Sequence, residues 1–179
     1  MIESEKADTA WLEPLKYAQW TRARTRYFEL SERIRASRDI YDKLTACEES
    51  FKVLKKFVET ELAEYEELPP KILCRDVAPK LYMQLGEFEK ARRAIKICAE
   101  AGTYDDDGAA EFDYLTRYET TARTAIEFLR EHKGILQRDV YKAFAGTAID
   151  KACLKEFLRA SRLIRKEKSG TTNKLFLAE

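Results

Sequence analysis

The residues of this chain best suited to chemistry are basic and lie near its C-terminus. Between positions 151 and 174, eight lysines and arginines stand against two acidic residues, Glu156 and Glu167. Four of the basic residues follow one another at spacings of four, four and three: Lys151, Lys155, Arg159 and Arg162. These spacings place them on one face of a helix. Cations on a helix face can meet phosphates and the acceptor atoms of guanine, so the segment predicts a DNA-binding surface.

The residues that follow this helix extend the predicted surface. They read as a basic strand, a turn at 168–173 and a return strand at 174–177. Short polar side chains in such a turn suit phosphate contact or entry into the minor groove. Counterion release would supply most of the affinity and make it sensitive to salt. The predicted nucleic-acid-binding residues are Lys151, Lys155, Arg159, Arg162, Arg165, Lys166, Lys168, Thr171, Thr172, Asn173 and Lys174.

Residues that could support catalysis are scarce. The only histidine, His132, lies at the predicted end of a helix, where a capping role is expected. No Ser/His/Asp or Cys/His arrangement forms around it, and there is no P-loop or GxGxxG motif. We expect no enzyme and no cofactor, although catalysis by carboxylates alone stays open. The neighbouring carboxylates are expected to lie on a charged helix surface: Glu61, Glu64, Glu66 and Glu67.

Two further sets of side chains could bind a metal or form disulfides. The acidic run Asp105, Asp106 and Asp107 lacks the spacing of an EF-hand and precedes a helix, so capping is expected. The four cysteines contain no CxxC and fall at apolar positions of helical patterns. We therefore expect buried free thiols in a reducing cytosol rather than a metal site. They are Cys47, Cys74, Cys98 and Cys153.

The N-terminal part of the chain reads as paired helices. Apolar spacings predict helices over 10–36, with a break possible at Thr21–Thr25, and over 40–62, with Asp39 as N-cap and Leu68-Pro69-Pro70 as the end. Shorter helices are predicted over 76–85 and 88–101, followed by one from 112 to 132. The apolar positions of the first two helices are Trp11, Leu15, Ala18, Tyr27, Leu30, Ile34, Ile40, Leu44, Cys47, Phe51, Leu54, Phe57, Val58 and Leu62.

The pair at 76–102 resembles a tetratricopeptide-like helical hairpin. The resemblance rests on Tyr82, Leu85, Gly86, Phe88, Ala91, Ile95 and Cys98, which follow the order of that family's aromatic, Leu, Gly, aromatic, Ala, bulky and small positions. Pro79 and Thr103 depart from the motif. A weaker copy at 37–51 is offset by 47 residues, longer than the standard repeat of about 34. A repeat-like helical layer is expected, and a plain helical bundle stays the alternative.

The last 60 residues resemble a winged helix-turn-helix domain. The predicted order is a helix, a short strand at Ile135-Leu136, helices over 137–144 and 149–161, and the hairpin. Val140, Tyr141 and Phe144 are expected to face inward from the first short helix, with Ile149, Cys153 or Leu154, Phe157 and Leu158 inward from the second. The phrase SRLIRKEKSGTTNKLFL is similar to the wing of bacterial winged-helix regulators. The resemblance implies a DNA-binding protein, such as a transcriptional regulator.

A second interpretation of the same module is protein docking. A helix with lysine outside and leucine inside is also an ordinary solvated face. The predicted contact helix has few Asn, Gln, Ser or Thr residues for base reading, and Glu156 lies among its cations. A winged helix after helical repeats also resembles proteasome-lid-type scaffolds, in which it assembles subunits. An adaptor that binds protein through both halves is therefore the alternative function.

Composition and charge are compatible with both interpretations. With 45% apolar residues, six Gly and four Pro, the 179-residue chain suits packed helices. Its net charge is +1, but residues 119–179 carry 13 basic and 8 acidic residues, against 20 and 24 in residues 1–118. No run approaches the ~18 apolar residues of a membrane span, and the acidic N-terminus does not read as a signal peptide. These patterns predict a cytoplasmic protein without a membrane partner.

The predicted organisation is mostly α-helical. We expect a tetratricopeptide-like layer at 1–104, a connecting helix at 105–133 shared by both parts, and a winged helix with a small β-hairpin at 120–179. The layer is expected to bind a protein partner or a second copy of the chain.

Overall fold

The computed structural model describes residues 12–178, which are mostly helical with one small antiparallel sheet near the C-terminus. The mostly α fold class with a small β-hairpin is confirmed at this level. The predicted apolar position Trp11 lies outside the described residues. The elements are α1 (Leu12–Ala36), α2 (Ile40–Tyr65), α3 (Leu73–Leu85), α4 (Phe88–Glu100), α5 (Ala109–Glu131), β1 (Ile135–Leu136), α6 (Gln137–Ala143), α7 (Lys151–Ala160), β2 (Ile164–Ser169) and β3 (Thr172–Leu177).

The chain divides into two compact units that both include part of α3 and α4. The first unit runs up to Ala78 and also contains Lys96–Asp107. The second unit contains Pro79–Ile95 and Gly108–Glu179. Among the described helices, none is both long and apolar enough to cross a membrane.

In the first unit, α1 and α2 form an antiparallel hairpin. The predicted N-cap is confirmed, because the Asp39 carboxylate accepts a hydrogen bond of 2.8 Å from the backbone N–H of Asp42. The possible break at Thr21–Thr25 is absent, and α1 is continuous. Within that stretch Arg24 forms an ion pair of 2.8 Å with Glu61 of α2. This tertiary contact stabilises the helical conformation of a segment in which the apolar pattern is weak. The predicted place of Glu61 on a charged helix surface is wrong, because its side chain is buried in this contact.

Aromatic packing forms the core between α1 and α2. The rings of Tyr27 and Phe57 stack with centroids 3.9 Å apart, and Phe28 meets Phe57 edge-on at 5.8 Å. The predicted inward position of Leu62 is wrong, because its side chain is 44% exposed. Helix α2 ends at Tyr65, after the last predicted apolar position at Leu62 and before the predicted end at Leu68-Pro69-Pro70. Glu66 there adopts a left-handed conformation with φ 61°.

The prediction of buried free thiols is confirmed. Cys47, Cys74, Cys98 and Cys153 are all buried and none forms a disulfide. In the first unit, the Tyr27 hydroxyl lies 4.0 Å from the Cys74 sulfur. Burial raises the pKa of Cys47 to about 12. Thiols in these surroundings behave as small apolar side chains.

In the second unit, a glycine turn leads from α3 to α4. Helix α3 begins at Leu73, three residues before the predicted start at Asp76, and contains Pro79. Gly86 has φ +76°, and a Cβ there would lie 2.7 Å from Leu163 Cδ1. Glycine is required at this position both by its φ and by the close approach of Leu163.

The long helix α5 is the scaffold of the second unit. It runs without a break from Ala109 to Glu131, as predicted for its C-terminal end at His132. Its Tyr118 ring meets Phe88 at 6.4 Å and Phe157 of α7 at 6.2 Å, both edge-on. The buried residues along α5 are Leu115, Tyr118, Thr121, Ala122, Ala125 and Leu129.

The C-terminal strands form a three-stranded antiparallel sheet in the order β1-β3-β2. Ile135 of β1 pairs with Leu175, and Lys166 of β2 pairs with Leu175 from the other side. The hairpin turn is shorter than the predicted 168–173, since only Gly170 and Thr171 separate the strands. Longer strands satisfy more backbone groups than a six-residue loop does.

The short helices α6 and α7 differ from the prediction at their ends. Helix α7 spans ten residues rather than 149–161, because Asp150 is its N-cap. In α6, Val140 and the following Phe144 are buried as predicted, but Tyr141 is 38% exposed and does not face inward. The Tyr141 hydroxyl instead accepts a hydrogen bond of 3.2 Å from Gln137 Nε2 at the surface.

Candidate nucleic-acid interface

Helix α7 is anchored by its N-cap and by an apolar face. Asp150 Oδ1 accepts hydrogen bonds from the backbone N–H of Ala152 at 2.9 Å and of Cys153 at 3.0 Å. Asp150 Oδ2 lies 2.7 Å from Arg117 Nη1 of α5. The Cys153 N–H above all, and Arg117 as well, hold the pKa of Asp150 below its usual range. The buried face of α7 consists of Cys153, Leu154, Phe157 and Leu158.

Three predicted contact residues share the outward face of α7. Lys151, Lys155 and Arg159 follow one another at four-residue intervals, and all three side chains are exposed. Within the described part of the chain, none of the three forms an ion pair with an acidic residue. Their charges are therefore available to a partner.

Arg162 does not continue this face, contrary to the prediction from spacing. The helix ends at Ala160, and the backbone of the C-cap residue Ser161 is extended. The backbone N–H of Arg162 donates a hydrogen bond of 2.8 Å to the carbonyl of Gln84. The Arg162 side chain is exposed, but a connecting turn and not the helix sets its direction.

The hairpin divides the remaining predicted residues between its two faces. Side chains alternate along a strand, and Ile164 and Leu175 mark the buried face. The residues on that face are Lys166, Lys168 and Asn173. The residues on the opposite face are Arg165, Thr172 and Lys174. Thr171 lies in the two-residue turn and is exposed.

Lys166 joins the hairpin to the end of α7. Its Nζ donates a hydrogen bond of 2.6 Å to the backbone carbonyl of Arg159. Partial burial and then the charge of Arg159 lower the pKa of Lys166. A cation at the last turn of a helix also meets the negative end of the helix dipole. This contact places positive charge of the hairpin beside that of α7.

Arg165 is engaged within the hairpin itself. Its guanidinium forms an ion pair with Glu167 and lies 4.6 Å from the centroid of the Phe176 ring. Both partners belong to the face opposite Lys166. Arg165 and Lys174 are thus separated from the face that Lys166 shares with α7.

Glu156 does not lie among the exposed cations of α7. The hydroxyl of Tyr114 on α5 donates a hydrogen bond of 2.6 Å to Glu156 Oε2, and the Glu156 side chain is half-buried. Burial, followed by this hydrogen bond to a carboxylate, raises the pKa of Tyr114. The carboxylate that counted against DNA binding in the sequence is turned toward α5.

Three residues that organise this region were not identified from the sequence. Gln84 anchors Arg162, Tyr114 holds Glu156, and Arg117 holds the N-cap Asp150. The partners are 33 to 78 positions apart in the chain, so no helical or strand periodicity links them.

Within the described residues, the other candidate sites do not bring catalytic or metal-binding side chains together. His132 is the C-cap of α5, where its Nδ1–H donates to the Phe128 carbonyl at 2.9 Å and its ring stacks on Phe128. The N-cap of α5 is Gly108, which has no side chain, instead of a residue of the acidic run 105–107. No group of three or more metal-ligating side chains occurs within residues 12–178.

Comparison of the chain with protein-family models, with curated proteins and with solved structures found no match.

Proposed function

We propose that this chain is a winged-helix DNA-binding protein, such as a transcriptional regulator, without enzymatic activity. The order of elements in the second unit supports the winged helix. A long helix α5 is followed by β1, α6, α7 and the β2–β3 hairpin, and β1 pairs with β3. In a helix-turn-helix of this order, α7 is the helix that enters the major groove. The hairpin then lies beside it as the wing.

The DNA proposal rests on one observation: most basic side chains from 151 to 174 form no ion pair with an acidic residue of the described chain. Among the eight basic side chains from 151 to 174, Arg165 is the one with an ion pair in the described chain. Both acidic residues of this segment are already engaged, Glu156 by Tyr114 and Glu167 by Arg165. Uncompensated cations on an exposed helix and an adjoining strand are the footprint of phosphate binding.

The first unit supports the second half of the proposal, which is a helical layer for contact with a protein partner or a second copy. Phe28 is 44% exposed and borders a groove of about 460 Å³ between α1 and α2. Trp20 and Ala63 also line this groove. Tyr82 and Phe88, which carry the tetratricopeptide resemblance, are buried and serve the core instead. Exposed aromatic side chains beside a groove are common at protein interfaces.

The test is binding of the full chain to a fluorescent duplex of about 20 base pairs at increasing NaCl from about 50 to 200 mM. We expect the logarithm of the affinity to fall linearly with the logarithm of the salt concentration. Changing Lys151, Lys155 and Arg159 together to alanine removes three phosphate contacts. The slope should then decrease by about 2–3, and the affinity at low salt by at least about tenfold.

A control variant matches this charge change elsewhere in the chain. Arg22, Lys52 and Lys55 are exposed residues of the first unit and form no ion pair with an acidic residue in the described chain. Changing these three to alanine should alter the affinity less than about threefold, because they do not belong to the proposed interface and contribute only through the net charge. Equal losses in the two variants, or no binding at low salt, would contradict the DNA proposal.

The alternative function is an adaptor that binds protein through both units. A groove of about 630 Å³ in the second unit favours it, since Phe144, Ala148 and Ile149 line one side. The hydroxyls of Thr116, Thr120 and Thr124 donate to carbonyls of their own helix, at distances of 2.8 to 3.0 Å. An adaptor would bind no duplex at low salt. It would lose its protein partner when Ile149 is changed to lysine.

A further inference from the structure

Some polar and charged side chains around α7 have hydrogen-bond or ion-pair partners within the protein, and others do not. The exposed residues of α7 are two lysines, one arginine and one alanine: Lys151, Ala152, Lys155 and Arg159. None of these is an amide or hydroxyl side chain. Adenine is read by Asn or Gln, and guanine by Arg or Lys. A lysine ammonium is a compact point charge without the planar fork of arginine, so it discriminates less between guanine and a neighbouring phosphate.

Arg159 is the only exposed guanidinium on α7, and it lies at the wrong end for base reading. It is the penultimate residue of the helix, and its carbonyl accepts the hydrogen bond from Lys166. The residues of a recognition helix that contact base edges lie near its N-terminus. On α7 those positions are held by Lys151, Ala152 and Lys155.

Polar side chains that could read bases next to α7 are satisfied internally. Asn173 Nδ2 donates to Gln137 Oε1 at 3.2 Å, so two amides face each other. Thr147 Oγ1 donates to the Phe144 carbonyl at 2.9 Å in the turn before α7. The Asp150 carboxylate is taken by Arg117 and by the helix N-terminus. By contrast, the three exposed cations of α7 form no ion pair in the described chain.

We infer that the chain binds duplex DNA through its phosphates and without sequence preference. This inference rests on the proposed DNA-binding function and assigns its substrate class, and it replaces the example of a transcriptional regulator that selects its site with a sequence-neutral binder of duplex DNA. The cations without an ion pair are Lys151, Lys155 and Arg159 on one face of α7, and Lys168 on the hairpin face whose Lys166 contacts the end of α7. Each phosphate neutralised contributes about 0.9 to the salt slope, whatever the base beside it.

The experiment uses the full chain and three unrelated duplexes of about 20 base pairs, one AT-rich, one GC-rich and one mixed, at about 50 mM NaCl. We expect the three dissociation constants to agree within about threefold, whereas specific binders prefer their site by about 10³-fold or more. Selection from a random-sequence duplex pool should enrich no motif. An enriched motif that is bound more than tenfold tighter than its scrambled form overturns the inference and leaves DNA binding intact.

Single substitutions provide a second, independent test of binding without sequence preference. Lys155→Ala and Arg159→Ala should each weaken binding to all three duplexes by the same factor, because both contact phosphate. A loss confined to one duplex would show that the residue reads a base, which overturns the inference. Tighter binding to a single strand than to its duplex overturns the assignment to duplex DNA. If no duplex binds at all, the proposed function itself fails.

Discussion

The hydroxyl of Tyr114 on α5 donates a hydrogen bond of 2.6 Å to Glu156 on α7. This contact turns the only acidic side chain within α7 away from Lys151 and Lys155, which are exposed on the other side of the helix. It also fixes α7 to α5, next to the edge-on contact of Tyr118 with Phe157. The same bond therefore contributes to the packing of the second unit and to the positive potential of its surface.

Changing Tyr114 to Phe should destabilise the protein by about 1–3 kcal/mol. The reason is that the half-buried Glu156 carboxylate loses its donor and keeps the cost of its burial. The measurement is the free energy of unfolding in urea at neutral pH. Tyr41→Phe is the matched control, since Tyr41 is 63% exposed and should change stability little. A loss of the same size in both variants would mean that the hydrogen bond contributes nothing.

Changing Gly86 to Ala should destabilise the protein more than changing Gly102 to Ala. Both glycines have positive φ, +76° and +74°, so the backbone cost of about 1 kcal/mol is common to both. Only at Gly86 would the new Cβ approach another residue, at 2.7 Å from Leu163 Cδ1. The difference in thermal unfolding midpoint between the variants measures this crowding. Adding Leu163→Ala should reduce it, and a purely additive double variant would contradict the explanation.

Local patterns predicted the elements of this fold well, because each depends on neighbouring residues. The N-cap Asp39 and the spacing of Lys151, Lys155 and Arg159 were both visible in the sequence and are present in the structure. Helical geometry repeats every 3.6 residues, so a charged face can be read from spacing alone. Exceptions arise where a distant partner intervenes. The carbonyl of Gln84 accepts the N–H of Arg162, so the helix ends before Arg162 although the spacing of the basic residues predicts that it continues.

Register and long-range pairing could not be predicted from the sequence. The hairpin was expected, but the faces of Arg165 and Lys166 depend on a two-residue turn at Gly170, and a slip of one residue would exchange them. The direction of Glu156 depends on Tyr114, 42 positions away. The candidate interface was thus predicted as a set of residues, while its arrangement came from contacts between elements.

Changing Asp150 to Ala should cost about 0.5–2 kcal/mol of stability near neutral pH, because the N-cap of α7 is lost. The pKa of Asp150 in the folded protein is lowered from its usual 3.8. Its carboxylate therefore stabilises the fold above pH 3.8, and this contribution disappears as the pH falls through the lowered pKa. The difference between wild type and Asp150→Ala should accordingly shrink in acid.

Urea unfolding from about pH 2.5 to 7 tests this pH dependence. Asp150→Asn is the control, because its amide oxygen can still cap the helix and does not titrate. We expect this variant to keep most of the stability. A difference between wild type and Asp150→Ala that is constant down to the most acidic point would mean that the carboxylate charge is irrelevant.

The Cys47 and Cys153 thiols of the folded protein should resist alkylation at about pH 8. Burial raises the pKa of Cys153 to about 11 and that of Cys47 to about 12, so almost no thiolate is present to react. All four cysteines should react rapidly once the chain is unfolded in guanidinium chloride. Mass spectrometry after timed exposure to iodoacetamide counts the modified thiols. Modification of Cys153 in the folded state at the rate of the unfolded chain would show that α7 opens readily.

Changing Arg24 to Ala should destabilise the protein by about 1–3 kcal/mol at neutral pH, since it leaves the buried Glu61 carboxylate without its cation. Arg24 Nε lies 2.8 Å from Glu61 Oε1, and Glu61 is 4% exposed. Burial already raises the pKa of Glu61 above its usual 4.5, and Arg24 is the group that opposes this rise. Without Arg24 the pKa of Glu61 in the folded protein should rise further above its value in the unfolded chain.

The loss of unfolding free energy caused by Arg24→Ala should therefore grow as the pH rises above about 4.5. It should shrink at lower pH, where Glu61 is neutral in both the folded and the unfolded chain. Chemical unfolding at about pH 4 and pH 7.5 measures the two values. Arg22→Ala is the control, because Arg22 is an exposed residue of the same helix and has no acidic partner within the described chain. The double variant Arg24→Ala with Glu61→Gln removes the titrating group. It should recover part of the stability at pH 7.5 and lose the pH dependence, and a deficit that persists unchanged would assign the effect to lost packing of the Arg24 stem.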